Sequence, residues 1–294
     1  MTYSEIWHRI ATSYDDGEAR AIARILIEEL FGLSYADIVC GATEQLSADD
    51  TLRLDTAVRR IEQGEPLQHV LGYADFCGNR FCVNGSVLIP RPETEWLVDE
   101  GAKLMDGCIA SDETQHKAPH SPKRILDIGT GSGCIAISLK LRLGDAYVEA
   151  WDISEEALRT AQDNADALKA EVVFRKRDAL RADNTAAPWD LIVSNPPYIC
   201  DSERSAMDDN VLLHEPHTAL FVPDDDPLRF YRAIARYALL TLNIGGSLLF
   251  ECNTRYAEAT GTMLRDMGFE EVTVSDDCFS LPRFVRGRKN SHNQ

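Results

Sequence analysis

The chain has no run approaching the ~20 uninterrupted apolar residues needed to cross a bilayer. Its start, with Glu5 and His8 among the first residues, has neither the basic nor the apolar region of a signal peptide. A cytoplasmic protein with no membrane association is expected. The eight cysteines, at 40, 77, 82, 108, 134, 200, 252 and 278, stand singly with no C-x-x-C pair, so neither a zinc knuckle nor a disulfide framework is expected, only reduced thiols, and no metal site. Positive charge is scarce: 30 Lys and Arg against 48 Asp and Glu give a net charge of -18, and a nucleic-acid backbone would be repelled over most of such a surface. The one dense basic cluster, Arg283, Arg286, Arg288 and Lys289, reads as a solvated strand edge and tail. Internal repeats and low-complexity tracts are also lacking.

What is present is enough, at 294 residues, for two domains. Residues 1 to about 65 read as short helices. Thr2-x-x-Glu5 is a capping box, and Ala19, Ile22, Ala23, Leu26, Ile27 and Leu30 fall on one helical face before Gly32. Ser47-x-x-Asp50 starts another helix, with Leu54, Ala57, Val58 and Ile61 as its apolar face and Gly64 and Pro66 as its stop. From Gln68 to Val87 aromatic and β-branched residues broken by glycines suit a hairpin bridging two domains. Arg91-Pro92-Glu93-Thr94 opens a helix toward Met105, and Gly107 to Lys123 reads as a polar loop.

Beyond Lys123 strand and helix patterns alternate: strands 124–128, 147–151, 171–175, 189–193 and 247–252, helices 133–142, 155–169, 227–241 and 255–267. That alternation predicts an α/β domain with a parallel, doubly wound sheet and its ligands at the strands' carboxyl ends. Val272–Val274 and Phe284–Arg286 are placed to pair antiparallel at the sheet edge.

Ile125-Leu126-Asp127-Ile128 runs directly into Gly129-Thr130-Gly131-Ser132-Gly133, a buried strand turning through glycines into a helix. A dinucleotide fingerprint would need its third glycine where Cys134 stands, and the G-x-G-x-G form favours S-adenosylmethionine. Asp152 ends the second strand, 23 residues after Gly129, where a carboxylate can accept both ribose hydroxyls; a helix N-cap is the competing role, for which Ser154 is better placed. Asp178, after the third strand, either accepts the adenine amino group or occupies a surface turn.

Asn195-Pro196-Pro197-Tyr198 follows the fourth strand. An amide nitrogen is a poor nucleophile because its lone pair is delocalised, so an enzyme must hold its hydrogens with acceptors. The side-chain oxygen of Asn195 and the carbonyl of Pro196 can each take one N–H, Pro197 keeps Pro196 extended so that its carbonyl stays free, and Tyr198 can stack on the planar group. Cofactor turn and amide seat together point to methyl transfer to nitrogen.

These residues resemble the HemK/PrmC family of protein-(glutamine-N5) methyltransferases. So do Pro66-Leu67-Gln68-His69-Val70-Leu71-Gly72, Val87-Leu88-Ile89-Pro90-Arg91-Pro92-Glu93-Thr94-Glu95 and Glu215-Pro216-His217-Thr218-Ala219-Leu220. The resemblance covers nearly the whole chain. It implies a Rossmann-like class I S-adenosylmethionine-dependent methyltransferase domain over 89–294, an N-terminal helical substrate-docking domain over 1–66 and a hairpin linker over 67–88. The implied substrate is the glutamine in the Gly-Gly-Gln loop of class I peptide chain release factors. Cofactor binding is implied at Gly129, Thr130, Gly131, Ser132, Gly133, Asp152, Asp178, Ala179 and Asn195, and substrate binding and catalysis at Asn195, Pro196, Pro197 and Tyr198. Many relatives carry an aromatic residue where Ala179 stands, so adenine stacking must come from elsewhere, with the Pro90-Arg91 segment as candidate.

Three other functions share parts of this pattern. A ribosomal-protein glutamine methyltransferase would use the same chemistry on another partner. An N6-adenine methyltransferase would use it on a flipped base, but the basic recognition surface is missing. A noncatalytic release-factor adaptor is opposed by the intact Gly129, Asp152 and Asn195.

Overall fold

The computed structural model describes residues 1–110, 122–182 and 188–290. Two compact units make up the chain: Met1–Tyr73 with Val83–Gly85 and Met207–Glu215, and Ala74–Cys82 with Ser86–Ala206 and Pro216–Gln294.

The first unit is helical: α1 (Tyr3–Ile10), α2 (Asp16–Phe31), α3 (Tyr35–Val39), α4 (Ala48–Glu62) and α5 (Leu67–Leu71). The capping box at Thr2 forms in both directions, and Ser47 caps α4 through the Asp50 N–H, each contributing about 1 kcal/mol. The apolar faces expected on α2 and α4 meet: Ala19, Ile22, Ala23, Leu26 and Ile27 pack with Leu54, Ala57, Val58, Ile61, Ile6 and Ile10. Gly32 closes α2 in the left-handed conformation that its position requires. Gln68–Leu71, expected to begin the hairpin, belongs to α5 instead; with Pro66 before it and Gly72 as its C-cap the segment has helix signals at both ends. The hairpin is shorter, β1 (Tyr73–Phe76) and β2 (Asn79–Cys82), and from Ala74 onward it belongs to the second unit.

In the second unit α6 (Glu95–Ala110) runs past the expected end at Met105, and most of the polar stretch that follows lies outside the described residues. Then come β3 (Arg124–Ile128), α7 (Cys134–Leu143), β4 (Tyr147–Asp152), α8 (Glu155–Leu168), β5 (Val172–Lys176), β6 (Trp189–Ser194), β7 (Ile199–Cys200), α9 (Asp209–His214), which belongs to the first unit, α10 (His217–Leu220), β8 (Phe221–Val222), α11 (Arg229–Thr241), β9 (Leu242–Glu251), α12 (Ala257–Asp266), β10 (Phe269–Asp276) and β11 (Pro282–Lys289). The sheet order is β10-β11-β9-β6-β3-β4-β5. Its neighbours from β9 to β5 run parallel, as expected. The closing pair does form antiparallel, Thr273 opposite Arg286 and Val274 opposite Val285, but only β10 lies at the edge. β11 inserts between β10 and β9, antiparallel to both. Phe284, Val285 and Gly287 are buried along it, which suits an interior strand.

Both sheet faces are covered, and the two-residue period decides which side chain goes where. Ile125, Leu191, Val193 and Leu249 pack toward Leu97, Val98, Ile135 and Leu139. Their neighbours Leu126, Ile192, Leu248 and Phe250 pack toward Tyr231, Ile234, Ala235 and Leu264. The basic cluster on β11 is tied into the same unit: Arg283 pairs with Asp277, Arg286 with Glu100 and Arg288 with Glu271, and the Lys289 ammonium donates to the Leu242 carbonyl.

Chain order reverses between β3 and β6: β4 and β5 follow on one side of β3, and β6 returns to the other. A crevice opens at such a switch point, outside the strands' carboxyl ends.

Candidate active site

The two segments singled out in the sequence leave adjacent strands at this switch point. Gly129 follows β3 and Asn195 follows β6, and the Ser194 hydroxyl donates to the Ile128 carbonyl at 2.6 Å, fastening the two strand ends together. A Cβ on Gly129 would stand 3.9 Å from the Asn195 carbonyl oxygen. The N–H groups of Gly129 and Thr130 both donate to the Trp151 carbonyl at 2.9 Å, so the turn is anchored on the end of β4. Gly129 and Gly131 have φ of 78° and 55°, a region that side chains disfavour.

A cavity of about 360 Å³ lies over this point. Its lining includes Gly129, Gly131, Asp152, Asp178, Ala179, Asn195, Pro196 and Pro197. Thr130, Ser132, Gly133 and Tyr198 are not among its lining residues. Thr130 instead donates its hydroxyl to the buried Asp127 carboxylate at 2.7 Å. Ser132 gives its carbonyl to the Asn164 amide, which also pairs with both backbone groups of Cys82. Gly133 lacks a side chain for reasons of packing: a Cβ there would lie 2.9 Å from Ile137 Cδ1 and 3.1 Å from Ala161 Cβ.

Asp152 accepts the Gly131 N–H on one carboxylate oxygen and the Ser154 N–H on the other, each at 2.9 Å. Ser154 takes the N-cap of α8, accepting from the Ala157 N–H, which frees Asp152 from that duty. Burial pushes the Asp152 carboxyl above the usual range, opposed by the backbone N–H groups of Ser154, Gly131 and Ile153. Asp178 caps a short 3-10 turn through the Leu180 N–H at 2.9 Å while its residue also lines the cavity, so both roles weighed for it in the sequence are compatible. Pro90 and Arg91 do not line the cavity. Its apolar lining includes Ile153 and Leu180, close in sequence to the two aspartates, and Phe230 from α11. Ile153 is 56% exposed and lines the cavity.

Asn195 carries the least expected feature. Its Oδ1 is buried without a hydrogen-bond partner, while Nδ2 approaches the Thr94 hydroxyl at 3.4 Å. Thr94 donates to Glu251 Oε2 at 2.7 Å, and the Tyr198 hydroxyl donates to Glu251 Oε1 at 3.2 Å. Pro196 is buried, and among the described residues nothing donates to its carbonyl. The Tyr198 backbone is held from both sides, by the Leu220 carbonyl and the Asn253 amide. In sequence Thr94 is one residue of the Val87–Glu95 motif and Glu251 one residue of a strand, and nothing there joins the two. Among the described residues no group of His, Cys, Asp and Glu could hold a metal ion, and the described cysteines are free.

A sheet of this order, with a glycine turn and an Asn-Pro-Pro-Tyr segment at its switch point, defines the protein as a class I S-adenosylmethionine-dependent methyltransferase. Residues 96–220 match the family described as Methyltransferase small domain and residues 8–72 the PrmC N-terminal domain. A release factor glutamine methyltransferase from Bacteroides thetaiotaomicron is 43% identical over 277 residues, 94% of this chain and 95% of that protein. One from Flavobacterium psychrophilum is 36% identical over 281 residues, 94% of each. Among solved structures, the hMettl16 catalytic domain in complex with the MAT2A 3'UTR hairpin 6 superposes with a TM-score of 0.54 at 17% identity, over 84% of each chain, a likeness of fold. The chain belongs to the release factor glutamine methyltransferase family.

Proposed function

We propose that this enzyme methylates the side-chain amide nitrogen of the glutamine in the Gly-Gly-Gln loop of class I peptide chain release factors. The observation that carries this reading is the unpartnered, buried Asn195 Oδ1 at the switch-point cavity. A buried acceptor without a donor is costly, and an amide N–H of the substrate would satisfy it. S-adenosylmethionine supplies a methyl group activated by a sulfonium leaving group.

The chain's own residues bind, orient and exclude water. We assign the backbone of Gly129 and Gly131 and the Asp152 carboxylate to the cofactor, with Thr130, Ser132 and Gly133 shaping the turn, and with Asp152 accepting the ribose hydroxyls on lone pairs not engaged by Gly131 and Ser154. Asp178 accepts the adenine amino group beside Ala179, and the apolar faces of Ile153 and Leu180 take the base in place of the missing aromatic residue. Asn195 Oδ1 and the Pro196 carbonyl accept the two N–H bonds of the substrate amide, Pro197 holds Pro196 extended, and Tyr198 stacks on the amide plane. Held by two acceptors, the amide would keep its nitrogen lone pair free for a bound sulfonium methyl and would give up one of its two protons as the methyl leaves the sulfur, with positioning supplying much of the acceleration. Residues 1–66 are assigned to docking of the release factor, joined through 67–88.

No direct nucleic-acid substrate is proposed. The net charge is -18, and Arg283, Arg286, Arg288 and Lys289 already have partners within the fold. The reaction is placed in the cytoplasm with its translation-factor substrate; among the described residues no helix is long and apolar enough to cross a membrane.

The test is incubation with labelled S-adenosylmethionine and, separately, a release factor, its Gly-Gly-Ala variant, ribosomal proteins and duplex DNA, with the label located by mass spectrometry. Label on the wild-type glutamine alone is expected. Label on a ribosomal glutamine or on adenine moves the enzyme to another substrate class, and no label leaves only binding.

A further inference from the structure

Behind Asn195 sits a buried carboxylate that the transfer step does not touch. Glu251 ends β9 at 1% exposure and is not among the cavity's lining residues. Its two oxygens accept two hydroxyls, Thr94 at 2.7 Å and Tyr198 at 3.2 Å. Burial raises its carboxyl above the ordinary range, while the Thr94 hydroxyl, the Arg283 guanidinium and the Tyr198 hydroxyl favour the ionised form. Arg283 is held in place by the Asp277 carboxylate at 2.8 Å.

A threonine hydroxyl has one proton. With that proton directed at Glu251, Thr94 shows only lone pairs to Asn195. The amide of Asn195 has a donor end and an acceptor end of nearly the same shape, and a lone pair can face only the donor end. Nδ2 therefore turns toward Thr94, and Oδ1 is left without a partner. A reversed amide would set Oδ1 against the Thr94 lone pairs and present N–H groups to the N–H groups of the substrate.

We infer that Glu251, acting through the Thr94 hydroxyl, is a positioning residue that fixes which end of the Asn195 amide meets the methyl acceptor. The inference rests on the amide-methylation reading, because only a substrate that donates needs an oxygen at this place. It explains why an ionisable group is buried beneath a neutral seat: an acceptor-only carboxylate gives the Thr94 hydroxyl a single orientation, whereas a group able to donate would permit two.

The experiment compares wild type with Thr94→Val, Thr94→Ser and Glu251→Gln, reading kcat and KM with a release factor as methyl acceptor, S-adenosylmethionine affinity by calorimetry, and thermal unfolding. Thr94→Val keeps the shape and removes the hydroxyl. It is expected to lower kcat about 10- to 100-fold while cofactor affinity stays within about threefold, because the lost orientation acts on the acceptor alone. Thr94→Ser restores the hydroxyl and is expected to regain most of the turnover. Glu251→Gln, whose amide can donate to Thr94 and release its proton toward Asn195 Oδ1, is expected to lose kcat as Thr94→Val does. Wild-type kcat in Thr94→Val or in Glu251→Gln overturns the inference. So do equal losses in the valine and serine variants, or losses that track a drop in unfolding temperature and cofactor affinity, since these indicate packing alone. Wild-type protein that places no label on the release-factor glutamine removes the underlying reading instead, and the inference with it.

Discussion

The carboxylate of Asp152 accepts the backbone N–H of Gly131 at 2.9 Å across the gap between β4 and the turn after β3. One side chain thereby shapes the glycine turn and faces the cavity. Asp152→Ala should weaken S-adenosylmethionine binding about 10- to 100-fold, the range for a charge-assisted hydrogen bond with a dependent loop. Because burial raises the Asp152 carboxyl and its acceptor role needs the ionised form, affinity should also fall as pH is lowered through that raised value. Titration calorimetry at several pH values measures both; unchanged affinity in the alanine variant places the ribose elsewhere.

Asn195→Ala removes the buried acceptor without touching Asp152 or the glycine turn. Turnover on a release factor should drop about 10²- to 10³-fold, as when one oriented hydrogen-bond partner of a transition state is lost. Cofactor affinity should stay within about threefold. Tyr198→Phe, which gives up only the bond to Glu251 and keeps the ring, should retain more activity than Tyr198→Ala. Equal loss in the two Tyr198 variants excludes stacking as the role of the ring.

Gly133→Ala tests whether the third glycine of the turn serves ligand or packing. Its φ is 82°, and the added methyl would press on Ile137 and on the Ala161 backbone. A loss of about 1–3 kcal/mol is expected from overpacking and left-handed strain, read as a lower urea midpoint with unchanged slope. Full stability combined with weakened cofactor binding would reverse the assignment.

Local signals in the sequence reach a long way here. The helix caps at Thr2, Ser47 and Ser154 form as spelled, and the two-residue alternation in β3, β6 and β9 sorts the core onto both sheet faces. The order of the last two strands is not local. Val272–Val274 and Phe284–Arg286 are read as a pair, yet only the contact of β11 with β9, Val285 opposite Phe250, makes β11 an interior strand. Thr94 and Glu251 meet across 157 positions, a separation at which no spacing rule operates. Ile153 hides for another reason. A single hydrophobic residue before an N-cap carries no ligand signal in sequence, and its place in the cavity lining comes from the fold. Met207–Glu215 joins the helical unit although it lies far along the chain, again a contact without a local signature.

Asp127 provides the last test, through pH. Burial pushes its carboxyl from the ordinary 3.8 to about 7, against the Thr130 hydroxyl bond and with the Asp152 charge adding to the rise. In the unfolded chain it titrates near 3.8, so between about pH 4 and 7 the folded state holds a proton that the unfolded state has released. Stability from this group therefore falls as pH rises through that window, and the loss is complete above about pH 7. A shift of about three units corresponds to roughly 4 kcal/mol. Asp127→Asn is neutral at every pH and can still accept the Thr130 hydroxyl, so its stability relative to wild type should climb between pH 4 and 7 and level off beyond. Urea unfolding of both proteins at pH 5, 6, 7 and 8 measures the difference, which removes the titration of all other groups. A constant difference across that range means that Asp127 is ionised throughout in the folded protein, and that the glycine turn sits on a buried charge rather than on a protonated acid.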